Sequence, residues 1–196
     1  MKLDLNCEAS YFPSFLHENE AKAIYQHLMT FKNLITKFSL KLANGTLYEE
    51  NYGKMMFMDE VLFKQNKLLE SMWGSNQIWS NKMLLLKNKI KEHTGHEFQT
   101  CVCIHYPDGS SGVDYHSDFM AFGDTTHIAS ISLGEVREFN FREKLTQKTT
   151  QLYLENGSLL WMGKCCQENY EHALPIDFKC KEPRINITFR KYGFKN

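Results

Sequence analysis

Residues 184–190 read RINITFR, an unbroken alternation of polar and apolar side chains. On a strand, this alternation places the three apolar residues on one face and the four polar residues, including both arginines, on the other. A strand at the surface of a sheet explains the pattern, and so does a strand whose polar face lines a binding site. Arg184 and Arg190 are about 20 Å apart along an extended strand. Because an arginine binds a carboxylate through a planar two-pronged contact, two converging arginines would hold a small dicarboxylate between them.

The arginine strand belongs to a part of the chain that is rich in short extended segments. These segments follow Gly95 and are separated by turn residues such as Asn156-Gly157. The other predicted strands are Cys101–Tyr106, Ile128–Leu133, Glu138–Phe141, Gln151–Leu154 and Ser158–Met162, and the arginine strand is predicted to extend to Lys191.

Two helices are predicted before these strands. Residues 13–31 place Ala21, Ile24 and Leu28 on one face at helical spacing, and residues 81–93 are followed by the helix-ending glycine at position 95. Two helices followed by many short strands predict an α+β fold that is mainly β. We expect the helices to pack on one face of an antiparallel double-sheet barrel.

Length and charge limit the possible functions. The chain has 196 residues, which is enough for one domain with a sizeable core. Lys plus Arg and Asp plus Glu both number 23, so the formal net charge is zero. A dedicated nucleic-acid binder usually has a basic excess, because phosphate contacts supply much of its affinity. The charge balance therefore weakens the case for a nucleic-acid partner without excluding one.

The cysteines and the N-terminal residues indicate the compartment. The C-x-C and C-C spacings are poor for zinc, so we expect structural or incidental roles for the cysteines. The first residues lack the apolar segment and cleavage site of a secretory signal, so we expect an intracellular protein, cytoplasmic or nuclear, with reduced thiols. No apolar run is long enough to span a bilayer. The six cysteines are Cys7, Cys101, Cys103, Cys165, Cys166 and Cys180.

The segment Tyr115-His116-Ser117-Asp118 contains the first candidate metal ligands. Residues two apart on a strand point to the same side, so His116 and Asp118 would reach one metal ion together. Two histidines and one carboxylate leave one face of the metal open for a co-substrate and O₂, which is typical of non-haem Fe(II) oxygenases. By sequence order, His172 is the best-placed third ligand.

Taken alone, H-x-D is a weak signal, because a solvated histidine and aspartate beside a turn give the same pattern. Spacing alone does not prefer His172 over the other histidines at 93, 96, 105 and 127. The combination of H-x-D, a later histidine and the arginine strand is far more specific than any one of them.

With these segments in this order, the sequence resembles the AlkB family of Fe(II)- and 2-oxoglutarate-dependent dioxygenases. The resemblance extends from about residue 52 to residue 190, most of the chain. The segments that carry it are Asn88–Phe98, Tyr106, His116-Ser117-Asp118, Ile128–Gly134, Glu138–Arg142, Asn156–Met162, His172 with Leu174-Pro175, and Pro183–Arg190.

The resemblance implies roles for several residues. It implies that His172 completes the iron site with His116 and Asp118. Arg184 would bind the distal carboxylate of 2-oxoglutarate, with Asn186 and Tyr106 assisting, and Arg190 would serve the same co-substrate near its other end. Fe(II), 2-oxoglutarate and O₂ together would oxidise a C–H bond of the substrate. In AlkB-like demethylases the hydroxylated N-methyl group leaves as formaldehyde.

The resemblance also implies the architecture, a double-stranded β-helix (jelly-roll) core with N-terminal supporting helices. We expect residues 1–196 to form this single domain, and we expect it to be a monomer without a membrane partner.

The departures from the family lie on the substrate side. Phe119-Met120 follows the H-x-D, where many members have acidic residues that contact the alkylated base. Ile104 stands where the family often has an asparagine, and residues 45–51 lack the Pro-Arg that relatives tend to carry before Tyr52. A nearby carboxylate stabilises a bound cationic base, and Arg or Lys stabilises a bound phosphate. These changes therefore weaken the case for a nucleic-acid substrate. Tyr52, Phe119 and Met120 are the candidate substrate-pocket residues.

Three functions are compatible with these observations. The first is oxidative demethylation of alkylated nucleic-acid bases, which the overall similarity favours. The second is hydroxylation or oxidation of a small molecule, amino acid or peptide by the same chemistry, which the neutral charge and the Phe119-Met120 pair favour. The third is an interaction module that has lost its metal. The presence of all three ligands and both arginines argues against the third.

Overall fold

Two mainly antiparallel sheets form the framework of the protein in a computed structural model that describes residues 1–41 and 44–193. The strands are β1 (Ala9–Phe12), β2 (Lys37–Lys41), β3 (Leu47–Met58), β4 (Ser75–Ile78), β5 (Thr100–Tyr106), β6 (Val113–His116), β7 (Ile128–Gly134), β8 (Arg137–Glu143), β9 (Thr149–Leu154), β10 (Ser158–Met162), β11 (Tyr170–Leu174) and β12 (Arg184–Arg190). The helices are α1 (Glu18–Leu28), α2 (Lys32–Ile35), α3 (Glu60–Lys64), α4 (Glu70–Trp73), α5 (Asn81–Thr94) and α6 (Cys166–Asn169).

The larger sheet has the order β1-β10-β7-β12-β5-β3-β2, with β4 paired in parallel to β3. The smaller sheet has the order β6-β11-β8-β9. The arginine strand β12 therefore lies in the middle of the larger sheet, between β7 and β5. This position excludes the surface-strand interpretation of its alternation, because both faces of a central strand are covered when helices and a second sheet flank it.

The two faces of the larger sheet bury different cores. On the outer face, Ile24 and Leu28 of α1 and Ile90 of α5 pack with Ile187 and Phe189 of β12. The helices therefore cover one face of the double sheet, as the sequence predicts. On the inner face, a second core fills the space between the sheets and includes Tyr106, Ile128, Phe139, Phe141, Leu160, Met162 and Leu174.

Both predicted helices are confirmed, with different bounds for the first. It begins at Glu18 rather than near residue 13, because the His17 N–H donates to the Glu20 side chain at 2.9 Å and caps the first turn. The second helix begins after Ser80, whose Oγ accepts from the Met83 N–H, and ends at Gly95 in the left-handed conformation with φ of 73°.

The prediction of helices alone before the strands is wrong, because β1 to β4 lie in the first half of the chain and join the larger sheet. The longest of them, Leu47–Met58, has no clear strand signal in its sequence. Its last four residues are all buried, whereas most of its first half is exposed, so it lacks one continuous alternation. The glycine within it, Gly53, lies so close to the Leu34 carbonyl that an added Cβ would stand 1.6 Å from the oxygen. That close approach requires glycine where β3 passes the α2 segment.

Candidate metal centre and co-substrate cavity

The structure brings His116, Asp118 and His172 together at one end of the space between the sheets. His116 ends β6 and is paired with His172 of β11 in the register of the smaller sheet. One ligand atom from each of the three side chains lies within 4.8 Å of the other two. In the described residues this is the only such group of three, and the other candidate histidines are not part of it.

Asp118 reaches this group by a route that the sequence does not predict. The expectation of one strand carrying both His116 and Asp118 is wrong, because β6 ends at His116 and Asp118 lies in the loop that follows. The loop is held in place by α6 and β11. The Asp118 N–H donates to Gln167 Oε1 at 2.7 Å, and the Ser117 hydroxyl donates to the Tyr170 carbonyl at 3.0 Å.

Each of the two imidazoles is held in a fixed orientation by a neighbouring group. Nδ1 of His116 lies 2.7 Å from the Asp114 carbonyl, which only accepts, so Nδ1 carries a proton and Nε2 is the nitrogen left to face a metal ion. Burial lowers the pKa of His172 to about 4, so this ring is neutral at physiological pH. The Phe139 ring stacks on His172 with 5.4 Å between ring centroids and fixes its orientation.

A cation suits this site because the carboxylate is otherwise poorly satisfied. Oδ2 of Asp118 is buried and has no hydrogen-bond partner among the described residues, and it lies 3.8 Å from Nε2 of His172. Leaving a buried carboxylate oxygen unpaired is costly, and a metal ion removes that cost. Two imidazoles and one carboxylate are also the donor set of open-faced non-haem Fe(II) centres.

The three side chains open into a cavity of about 390 Å³ between the two sheets. Its other side is the polar face of β12, so the candidate metal ligands and the arginine strand share one space. From the larger sheet it is lined by Tyr52, Lys54, Ile104, Tyr106, Ser130, Arg184, Asn186, Thr188 and Arg190, and from the smaller sheet by Val113, His116, Phe139, His172 and Leu174.

Arg184 lies in the buried part of this cavity. Only 2% of it is exposed, and Nη2 donates to the Ser132 hydroxyl at 2.9 Å. Its Nε is buried without a partner among the described residues, so it has a free N–H donor. Burial lowers the pKa of Arg184 to about 10, and the guanidinium therefore stays charged at neutral pH. The Tyr106 ring lies beside it, 5.6 Å from Cζ to the ring centroid.

Arg190 lies at the other end of β12, next to the candidate metal centre. It donates to the Phe119 carbonyl in the loop that carries Asp118, and its Cζ stands 4.8 Å from the Phe122 ring centroid. Burial lowers the pKa of Arg190, while the charge of Asp118 opposes that shift. Like Arg184, Arg190 has a buried Nε without a partner among the described residues.

Two polar side chains lie between the arginines on this face of the strand. Asn186 Nδ2 donates to the Ser130 hydroxyl at 2.7 Å, and the Thr188 hydroxyl donates to Asn186 Oδ1 at 2.9 Å. The pairing of Asn186 with Ile104 places both on the cavity side, and His105 therefore points to the other face of β5. His105 is not among the lining residues, so it is not placed to replace an asparagine at position 104.

Two of the three candidate substrate-pocket residues line the cavity, and the third does not. Tyr52 and Phe119 line the cavity, and Phe119 is 75% exposed at its mouth. Met120 is exposed and is not among the lining residues. The Tyr52 ring lies 5.9 Å from the Tyr106 ring, and burial raises the pKa of Tyr52.

Two residues of this site, Lys54 and Gln167, have no distinguishing pattern in the sequence. Lys54 follows Tyr52-Gly53 and faces the cavity because it is two residues from Tyr52 on β3. Its ammonium donates to the Met72 carbonyl at 3.0 Å and lies 4.7 Å from the Trp73 ring centroid. Gln167, which holds the Asp118 backbone, gives no sequence signal because its role depends on a contact across 49 residues.

A double-stranded β-helix with two imidazoles and a carboxylate at one end is the architecture of a metal-dependent oxygenase. The sequence-family model that describes the 2OG-Fe(II) oxygenase superfamily matches residues 8–190. The chain therefore belongs to this family. Membership implies Fe(II), 2-oxoglutarate and O₂ as the reactants that accompany the substrate.

Individual relatives confirm the resemblance to the AlkB family. The chain is 37% identical over 125 residues to the alpha-ketoglutarate-dependent dioxygenase alkB homolog 3 of Bos taurus, covering 59% of this chain and 44% of that protein. It is 32% identical over 122 residues to the DNA oxidative demethylase ALKBH2 of Mus musculus, covering 58% of this chain and 51% of that protein. The matches thus span about half the length of these relatives.

The solved structure of OsALKBH1 is similar over 96% of this chain and 100% of that one, with a TM-score of 0.68 and 14% sequence identity. This similarity confirms the jelly-roll fold. None of the helices in the described ranges is both long and apolar enough to cross a membrane.

Proposed function

We propose that the protein is an Fe(II)- and 2-oxoglutarate-dependent dioxygenase that oxidatively demethylates alkylated bases of nucleic acid. The observation that carries the proposal is the shared cavity, in which the candidate ligands His116, Asp118 and His172 face the polar side of β12. A dicarboxylate held by that strand would lie beside the metal. The names of the relatives, a dioxygenase and a DNA oxidative demethylase, support the chemistry and the substrate class.

In this proposal each residue of the metal centre has a defined task. His116 and His172 offer Nε2 lone pairs, and Asp118 offers the buried carboxylate oxygen. Gln167 holds the Asp118 backbone, and Phe139 keeps the His172 ring in place. When bound, the iron and 2-oxoglutarate supply the oxidising chemistry, with release of succinate and CO₂.

The co-substrate is proposed to lie along β12. Arg184 binds the distal carboxylate through its free N–H, in a buried environment where a charged pair is strong. Tyr106 and Asn186 assist from the same face of the larger sheet, and Ser132 orients the guanidinium. Arg190 balances charge at the metal end, beside Asp118.

The substrate is proposed to enter between Tyr52 and Phe119. An exposed aromatic ring at the mouth of a cavity is suited to stack on an unpaired base, because every base offers a π-face. The cavity would then receive the methylated edge of that base and keep bulk water away from the metal.

The charge of the cavity favours a second candidate class, an uncharged base or small molecule rather than a cationic methylated base. Among its described lining residues, Asp118 is the only carboxylate, and the proposal assigns it to the metal. Lys54 adds a positive charge on the substrate side. Glu50, outside the lining, raises the pKa of Lys54 and so partly offsets this charge, but burial has the larger effect and lowers that pKa to about 8.

The test is succinate release from anaerobically iron-loaded protein after addition of 2-oxoglutarate and O₂. Parallel reactions contain no substrate, oligonucleotides with cationic or neutral N-methylated bases, or a pool of amino acids and metabolites. Stimulation by an oligonucleotide, with an equal amount of formaldehyde, supports demethylation. Stimulation by the metabolite pool alone would move the substrate away from nucleic acid. An absence of succinate in every reaction would contradict the dioxygenase itself.

A further inference from the structure

Two cysteines that are far apart in the sequence have their sulfur atoms in contact. Sγ of Cys166 lies 2.8 Å from Sγ of Cys7, across 159 residues of sequence. Cys166 is 2% exposed, whereas Cys7 is half-buried. One thiol of the pair is therefore open to a small solute, and the other is shielded behind it.

The polarity of the contact distinguishes the two thiols chemically. The Cys166 S–H donates to the sulfur of Cys7, and this lowers the pKa of Cys7 and raises the pKa of Cys166. A thiolate is the nucleophilic form of cysteine, so Cys7 is the member that reacts first with an oxidant. Cys166 is then in position to attack the product.

The backbone around both sulfurs is already fixed. The Glu8 N–H donates to the Lys164 carbonyl at 2.9 Å, and the Gly163 N–H donates to the Glu8 carbonyl at 2.6 Å. On the other side, the Asn6 N–H donates to the Tyr170 hydroxyl at 2.8 Å. A covalent link between the two sulfurs therefore needs only small side-chain movements.

We propose that Cys7 and Cys166 form a redox pair, which a peroxide oxidises to an intramolecular disulfide that ties the N-terminal segment to α6, the short helix before β11. The Cys7 thiolate attacks one peroxide oxygen, the O–O bond breaks, and sulfenic acid and water form after uptake of one proton. The Cys166 sulfur then attacks the sulfenic sulfur. The S–S bond forms, and the hydroxyl leaves as a second water with the Cys166 proton. Two thiols thus supply the two electrons that reduce one hydrogen peroxide.

The disulfide would act on the segment that supports the candidate metal centre. The side-chain oxygen of Gln167, next to Cys166, accepts from the Asp118 N–H. The Tyr170 carbonyl accepts from the Ser117 hydroxyl. Residue 172 follows two positions later. Fixing Cys166 to the N-terminal segment opposes opening of this support. Because the new link closes most of the chain into a loop, the oxidised protein should unfold at a temperature about 5–10 °C higher. This inference does not depend on the identity of the substrate.

The test oxidises the full chain with hydrogen peroxide, blocks the remaining thiols with N-ethylmaleimide, and locates the link by peptide mass mapping. We expect a Cys7–Cys166 cross-linked peptide in the unsubstituted protein and in Cys165→Ser, which removes the exposed neighbouring thiol. Cys7→Ser and Cys166→Ser should lack it. Oxidation that joins Cys165 instead, that joins two chains, or that proceeds to sulfinic acid without a cross-link would overturn the proposal.

Thermal unfolding provides a second measurement that does not require the variants to fold normally. The unsubstituted protein is compared after peroxide treatment, with and without later reduction by dithiothreitol. The proposal expects the higher midpoint only in the oxidised sample and its reversal on reduction. A mapped disulfide with no rise in the midpoint would contradict the proposed restraint of α6.

Discussion

The Asp118 carboxylate and the His172 imidazole meet across 3.8 Å although they come from a loop and a strand that are 54 residues apart in the chain. The contact lacks the features of a strong ion pair, because burial keeps His172 neutral and Oδ2 has no hydrogen-bond partner among the described residues. A neutral imidazole facing an unsatisfied carboxylate is the state that a metal ion requires of its ligands. The geometry thus gives the metal centre a physical basis that is independent of sequence similarity.

Replacing His172 with alanine should remove the Fe(II) site. Two remaining ligands hold an open-faced Fe(II) poorly, so both metal binding and succinate release should be lost. Anaerobic titration calorimetry with Fe(II) measures binding without relying on activity. His93→Gln is the matched control, because His93 packs against the Phe12 ring outside the cavity. Normal Fe(II) binding by His172→Ala would remove His172 from the ligand set.

Replacing Arg184 with alanine should raise the concentration of 2-oxoglutarate needed for half-maximal turnover. Loss of a buried charged partner costs about 2–5 kcal/mol, which corresponds to at least about 30-fold. The measurement is succinate release as a function of 2-oxoglutarate concentration, together with calorimetric binding of 2-oxoglutarate to the iron-loaded protein. Arg142→Gln is the control, since Arg142 pairs with Glu171 outside the cavity. An unchanged requirement in Arg184→Ala would place the co-substrate elsewhere.

The sequence predicts the arginine strand and the helical cover well, because these depend on local alternation and spacing. It predicts the position of Asp118 poorly. The residue leaves the strand register after His116, and its final place depends on Gln167, which is distant in the chain. The sequence also does not predict that Lys54 lines the cavity, because its place there follows only from the pairing of β3 with β5. Long-range pairing of this kind leaves no periodic signal in the sequence.

Replacing Lys54 with methionine should shift the substrate preference towards cationic methylated bases. Removing a nearby positive charge favours a cationic base by about 1–2 kcal/mol at an effective dielectric constant near 20, or roughly 5- to 30-fold in relative kcat/KM. The experiment compares oligonucleotides containing cationic N1-methyladenine with those containing neutral N6-methyladenine. Lys37→Met, on the exposed side of the β2–β3 hairpin, should leave the ratio unchanged. An unaltered ratio in Lys54→Met would show that Lys54 does not face the base.

Burial of neutral His172 should make the metal-free protein sensitive to acid. The pKa of His172 is about 4 when folded, compared with 6.5 for an ordinary histidine. Between these values the unfolded chain binds a proton that the folded chain does not, so the free energy of unfolding falls as the pH falls from about 6.5 to about 4. This contribution is intact above pH 6.5, and its loss across the window amounts to about 3 kcal/mol.

Urea unfolding of the protein in EDTA at several pH values between 4 and 7 measures this loss. His172→Gln is the matched variant, because a glutamine side chain does not titrate. The variant keeps all the carboxylates that contribute to acid unfolding in the unsubstituted protein. We expect the difference between the two proteins, rather than either curve alone, to carry the slope that His172 predicts. Parallel curves over the window would mean that His172 is as easily protonated in the folded protein as in the unfolded chain. Burial would then not be what keeps His172 neutral and able to bind a metal ion.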